Sequence, residues 1–167
     1  MNKQKMESIL SEHYIMLLDY QNYEVSSWGN IRNRTTGRIL KQYVNSRGYL
    51  CVCIDGTKKV HRLVASAFLN NPGNKKCVDH KNRDKLNNNI INLRYATNIE
   101  NSQNKSIHKN NTSGISGVNW KKDRNKWHVQ IRVNKKKLHL GYFINFDDAV
   151  RARKDAEIKY FKDFQAK

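Results

Sequence analysis

The sequence predicts an α+β chain built from two small modules. Three observations carry this. Short β-rich stretches separated by Gly and Asx turns fill residues 20–60, strand, loop, strand and helix signals follow to about residue 105, and after a polar stretch the pattern restarts as three strands and one helix. With 167 residues in all, each module has only a modest core.

Residues 1–19 read as a short amphipathic lead-in. Residues 23–31 read as strand, turn and strand, with a second turn at Thr36-Gly37. Residues 48–54 are β-rich, and Asp55-Gly56 closes a hairpin onto residues 57–60, so this region forms a β platform. Val60, Val64, Ala67 and Phe68 recur at helical spacing, and the helix stops before Asn70-Asn71-Pro72-Gly73. Residues 76–80 read as a strand, 81–89 as a polar loop and 90–96 as a returning strand. Thr97 and Glu100 have capping-box spacing and open a helix with Asn101 in its first turn.

Residues 102–114 lack apolar periodicity and read as a linker. From Ile115 come three strands, with turns at Asp123-Arg124-Asn125 and Asn134-Lys135-Lys136. The final helix is capped by Asn145, carries Asp147 and Asp148 in its first turn and Lys159 and Lys162 in its last. Arg153 is the polar interruption of its apolar face.

Composition narrows the partner. Thirty-two Lys and Arg against 14 Asp and Glu give a formal charge of +18, more than solubility requires, and point to a polyanion. No apolar run approaches the roughly 20 residues of a membrane span, and the first residues lack a signal-peptide core, so the expected setting is soluble and intracellular. Cys51, Cys53 and Cys77 form neither a CxxC pair nor an even framework and read as reduced core residues. A zinc site using them with His61 lacks the usual ligand spacing.

The chemistry concentrates where a strand ends in Asp79-His80 and a helix begins with Asn101 in its first turn. An imidazole can take a proton from water near neutral pH, while a carboxylate and an amide oxygen suit a hard cation such as Mg²⁺. Together they suit phosphodiester hydrolysis. Adjacent strand residues point to opposite faces, so convergence of Asp79 and His80 requires the strand to end or bend at His80. The run Asn87–Asn89 reads mostly as turn chemistry. His61 reads as a capping or scaffold histidine, and His13, His108, His128 and His139 have no partner spacing that suggests catalysis.

The segments VHRLVA (60–65), VDHKNRDKLNNN (78–89) and NLRYAT (92–97) resemble an HNH homing endonuclease over residues 20–105, including a Tyr-Glu-Val-Ser segment like the modular element that precedes many such nucleases. The resemblance implies a ββα-metal fold in which His80 is the general base, Asp79 and Asn101 bind one Mg²⁺ or Mn²⁺, and Asn92 holds the loop and orients His80. The last motif position is Asn101 rather than His, which argues against a zinc-binding site of the colicin kind.

Between residues 115 and 144 stand eight basic residues and one acidic residue. Trp127, Val129, Ile131 and Val133 alternate with His128, Gln130 and Arg132, so one face packs and the other is polar. A β-sheet can enter the major groove, with Arg reading guanine, Gln reading adenine and Lys neutralising phosphate. A half-buried sheet with a solvated basic face is the plainer alternative. Residues 114–164 resemble the Apetala-two (ethylene-response-factor) domain, and its groove-facing positions carry over to Ser116, Asn119, Lys121, Gln130, Arg132, Lys137 and His139. Several of these are Arg or Trp in plant factors, so the plant target does not transfer.

The expectation is therefore an α+β chain with a ββα-metal (HNH) nuclease module followed by a three-stranded antiparallel sheet packed on one helix. Its divisions are a lead-in (1–19), the nuclease module (20–105), a linker (106–113) and a reader (114–167). The expected function is site-specific, metal-dependent cleavage of double-stranded DNA by a monomer of phage or viral type, without a membrane or small-molecule substrate. A non-cleaving DNA-binding regulator on the same scaffold and a structure-specific ribonuclease or repair nuclease are the rivals.

Overall fold

A computed structural model describes residues 11–104, 110–161 and 164. The chain is a mixed α+β protein with several small antiparallel sheets, and it divides into two compact units after Asn98. The segment 1–10, the linker residues 105–109 with His108, and Lys162 lie outside the described residues.

In the first unit, β1 (Tyr14–Leu17), β2 (Tyr20–Ser26) and β3 (Ile31–Asn33) form one antiparallel sheet. Part of the lead-in is thus a strand: Ile15 pairs Val25, and Leu17 is buried in the core. A second sheet holds β4 (Gln42–Val44), β5 (Leu50–Cys53) and β6 (Thr57–Lys59), with Asp55-Gly56 at the β5–β6 turn. Helix α1 (Val60–Phe68) follows β6 directly, so Val60 begins the helix instead of ending the hairpin.

Val60, Leu63 and Val64 of α1 pack with Leu17, Val25, Ile31, Val52, Ile54 and Leu93 in a single cluster. Each such side chain contributes about 1.5–3 kcal/mol on full burial. Because the cluster draws on β2, β3, β5, α1 and β8 together, the platform and the segment after it share one core.

Strand β7 (Cys77–His80) pairs antiparallel with β8 (Leu93–Ala96). The returning strand is shorter than its apolar run suggests: Ile90–Asn92 is a 3₁₀ turn in which the Asn89 side chain accepts from the Ile91 N–H. An Asx cap there satisfies a backbone donor that a longer strand would have left at the sheet edge. Helix α2 (Asn98–Gln103) extends past Ser102, so the linker begins later than its polarity indicates.

The second unit holds β9 (Val118–Lys121), β10 (Lys126–Val133) and β11 (Lys136–Phe143), with β10 central, and α3 (Phe146–Phe161). Val118, Val129 and Ala149 form one buried cluster, and Ile131, Ala156 and Phe161 another. Arg153, buried on the same helix face, donates to Gln130 O at 2.7 Å and pairs with Glu157 at 2.8 Å. The polar interruption therefore satisfies a strand carbonyl. Of the cysteines, Cys51 is buried, Cys77 is half-buried and donates to Asn98 Oδ1, and Cys53 is exposed at the end of β5 instead of in the core.

Candidate active site

The loop between β7 and β8 is held by Asn92. Its side-chain oxygen accepts from the Asn82 N–H at 3.0 Å, its amide donates to Asn87 O at 2.8 Å, and its carbonyl accepts from the Lys81 N–H at 2.8 Å. One buried amide thus ties down both ends of a polar loop that has no hydrophobic anchor of its own.

β7 ends at His80, the last pair of its ladder: Asp79 lies opposite Arg94 and His80 opposite Leu93. Asp79 and His80 are both buried. His80 Nε2 lies 3.1 Å from Asn88 Oδ1, and the Asn88 amide nitrogen donates to Leu86 O. Because that second bond turns the amide oxygen toward the ring, Nε2 carries the proton and the lone pair lies on Nδ1. Burial lowers the His80 pKa, while the Asn88 bond and the Asp79 and Asp84 charges act the other way. The ring is a neutral base near neutral pH.

Two further rings flank it. His61 packs edge-on at 5.0 Å between centroids, and Tyr49 lies 6.1 Å from His80 and 5.0 Å from His61. Burial pushes the His61 pKa down to about 3, and its Nδ1 is sealed without a hydrogen-bond partner. His61 is therefore a neutral wall of the His80 site, not a helix cap: the α1 N-cap is Lys59, without a side-chain bond.

Asp79 Oδ2 takes Nε and NH2 of Arg94 at 2.8 and 2.7 Å. Among the described residues no group of three His, Cys, Asp or Glu could hold a metal ion, the zinc set included. One carboxylate does fit the habits of Mg²⁺, which keeps several waters and takes substrate phosphate oxygens beside one or two protein ligands. Asn101 lies half-buried on α2, in the second unit.

This geometry has relatives. Residues 58–103 match the HNH endonuclease family. Residues 12–55 match the NUMOD4 motif. An uncharacterized HNH endonuclease of Acanthamoeba polyphaga mimivirus is 42% identical over 62% of this chain and 31% of its own length. The DNA endonuclease I-HmuI of Bacillus phage SP01 is 35% identical over 48% of this chain and 51% of its own. A solved structure described as DNA binding and cleavage by the HNH homing endonuclease I-HmuI is similar with a TM-score of 0.51 and 33% identity, covering 55% of this chain and 56% of that one. The chain thus spans between about a third and a half of these curated relatives. The HNH segment contains His80, Asp79, Asn92 and Asn101, whereas Tyr49 lies in the NUMOD4 match.

Beyond the HNH segment, the second unit presents a polar sheet face. Register pairs Lys121 with Lys126, Asn119 with His128, Gln130 with His139 and Arg132 with Lys137, so six of the seven groove-facing candidates share one side. Ser116 sits in the turn before β9, exposed. A bulge between Val129 and Gln130 leaves Leu140 without an opposite residue and so sets Tyr142 opposite His128 on the polar side and Phe143 opposite Trp127 on the packed side. His128 Nε2 and His139 Nδ1 are 3.1 Å apart, both rings contact Tyr142, and Arg124 lies over Tyr142 at 4.7 Å. Burial, then His139, Lys121 and Arg124, lowers the His128 pKa.

Sequence reasoning missed Tyr49, Asn88 and Arg94, and it read His61 as a capping or scaffold histidine without its place beside His80. For His61 a signal existed: it precedes Val64, Ala65 and Phe68 by three, four and seven residues, the spacing of one helix face. For Asn88 none did, since it stands in a run of three asparagines whose other members cap turns.

Proposed function

We propose that the protein is a metal-dependent, site-specific DNA endonuclease of the homing type. The observation that carries this is His80: a buried neutral imidazole, fixed by Asn88 with its lone pair on Nδ1, inside a segment matching HNH endonucleases. In this reading Nδ1 takes the proton of the attacking water, Asn92 holds the loop, and Asp79 and Asn101 hold one Mg²⁺ or Mn²⁺. Such an ion, when bound, stabilises charge on the phosphate and the leaving oxygen. The chain's own contribution is to hold the base neutral, exclude water from its Nε2 side and keep the Asp79 carboxylate beside Arg94.

The charge of +18 supports double-stranded DNA as partner. The second unit is proposed as an Apetala-two-like reader that sets Gln130, Arg132 and His139 against base edges, with Asn119, Lys121, Lys137 and Ser116 beside them. A monomer of viral or phage origin acting inside a host cell fits the relatives, and no helix of the described residues is long and apolar enough to cross a membrane.

The test is nicking of supercoiled plasmid with and without Mg²⁺ or Mn²⁺, comparing wild type with His80→Ala. Loss of at least about 10²-fold in rate, with DNA affinity kept, is expected of a general base. Wild-type turnover in that variant removes His80 from the role.

A further inference from the structure

We propose that the N-terminal β platform is a working part of the catalytic centre, with Gly29 and Tyr49 as positioning residues for His80. This rests on the reading of His80 as the base, and it assigns a role in the chemistry to residues outside the HNH segment.

The first contact is a close backbone approach. Gly29, at φ +96°, lies where a Cβ would stand 2.9 Å from Asn88 Cβ and 3.3 Å from Val60 Cγ1. Asn88 is the residue that fixes the His80 tautomer, so the β2–β3 turn presses directly on the group that orients the base. Any side chain at position 29 would move Asn88 or the turn.

The turn itself cannot easily yield. Gly29 O accepts from the Gln42 side chain at 2.7 Å, and Ser27 O accepts from the Ile90 N–H at 2.8 Å. The second of these bonds ties the platform to the residue that closes the catalytic loop. A loop without apolar anchors thus borrows its stiffness from the sheet beside it.

Tyr49 forms the other wall. Its half-buried ring touches both His61 and His80, and the ammonium groups of Lys59 and Lys85 lie over it at 5.0 and 4.7 Å. Lys85, from the catalytic loop, also donates to Arg47 O at 2.9 Å in the β4–β5 turn. Platform and loop therefore grip one another on two sides of the base, over a shared core that includes Val25, Ile31, Val52 and Ile54.

The full-length chain tests this on supercoiled plasmid with Mn²⁺, under single-turnover conditions at saturating enzyme. Tyr49→Leu should lower the rate constant by about 10-fold to 10²-fold, the scale of a misplaced reacting group, with the Kd for DNA changed less than about twofold. Tyr49→Phe, which keeps the ring, should restore it. In Gly29→Ala, ¹⁵N chemical shifts of the His80 ring should move from the Nε2–H tautomer toward a mixture, a readout that mere destabilisation of the fold would not give. His80→Ala serves as control. If it is inactive while Tyr49→Leu cleaves at the wild-type rate and Gly29→Ala keeps a pure Nε2–H ring, the platform is not part of the centre. If His80→Ala cleaves normally, it is the reading of the base that fails.

Discussion

Replacing Gly117 with Ala should destabilise the β9–β11 sheet and α3 while leaving the first unit and α2 intact. Gly117 sits at φ +78°, and a Cβ there would stand 2.2 Å from Gln130 O and 2.9 Å from an Arg153 nitrogen. Gln130 belongs to the central strand, paired on both sides, so its carbonyl cannot retreat without breaking a ladder. An L residue in the left-handed region costs about 1–2 kcal/mol. Displacing Arg153 from Gln130 O removes a buried charge-assisted bond, about 1.5–3 kcal/mol more. The sum, about 2.5–5 kcal/mol, should appear in native-state hydrogen exchange as a loss of protection of roughly 10² to 10³-fold or more at the Val129 and Ile131 amides, with α1 amides unchanged. DNA affinity should fall, while nicking at saturating enzyme persists. A loss at β10 below about 1 kcal/mol would refute the steric argument, and an equal loss in α1 would refute its confinement to the second unit.

Three further outcomes follow from charge and contact. His61 has its pKa lowered to about 3, below its unfolded value near 6.5, so the unfolded state binds the extra proton between those values. Stability from this group is complete above about pH 6.5 and is lost as pH falls toward 3, at up to about 1.4 kcal/mol per pH unit; acid titration of urea unfolding should show a shallower decline in His61→Phe, and an identical decline would dismiss the buried neutral ring as the cause. DNA affinity should fall steeply with salt, because many of the 32 Lys and Arg displace counterions, and a flat plot of log affinity against log salt would remove DNA as the reason for the charge. Arg132→Ala should relax base preference at one or two positions by about 1–3 kcal/mol, whereas Lys135→Ala should weaken all sequences alike; equal effects in a selected-site binding assay would deny the sheet face a reading role.

Local signals sufficed where the chain's own periodicity decides the outcome. The Asp55-Gly56 hairpin, the start of the last helix at Asn145, whose side chain accepts from the Asp147 N–H, and the alternation along β10 are all decided within a few residues. What stayed hidden depends on contacts far apart in sequence. Tyr49, just before β5, meets His80 at the end of β7 because both strands pack on α1, and Gly29 meets Asn88 across 59 positions, read as 88 less 29. Arg94 was concealed differently: it stood in the motif, but its register opposite Asp79 emerges only when Ile90–Asn92 becomes a 3₁₀ turn and shifts where pairing begins.

That register bears on the ion proposed at Asp79. Arg94 meets the same Asp79 oxygen at 2.8 and 2.7 Å, so the site is close to neutral before an ion arrives. Unit charges 4 Å apart at an effective dielectric of 20 interact by about 4 kcal/mol, so the guanidinium offsets much of what Asp79 offers a dication. In the proposed reading a DNA phosphate would supply the missing negative charge and tie ion retention to substrate. Mn²⁺ binding, followed by electron paramagnetic resonance on His80→Ala to prevent cleavage, should therefore be weak without DNA and tighten at least about tenfold with duplex present, the effect of roughly 1.4 kcal/mol of coupling. Arg94→Met in the same background should bind Mn²⁺ more tightly than its parent in the absence of DNA and gain less from adding it. If the substitution leaves Mn²⁺ affinity without DNA unchanged in a chain that circular dichroism shows folded, the ion is not held at Asp79, and the ion pair with Arg94 is a structural bond of the β7–β8 ladder.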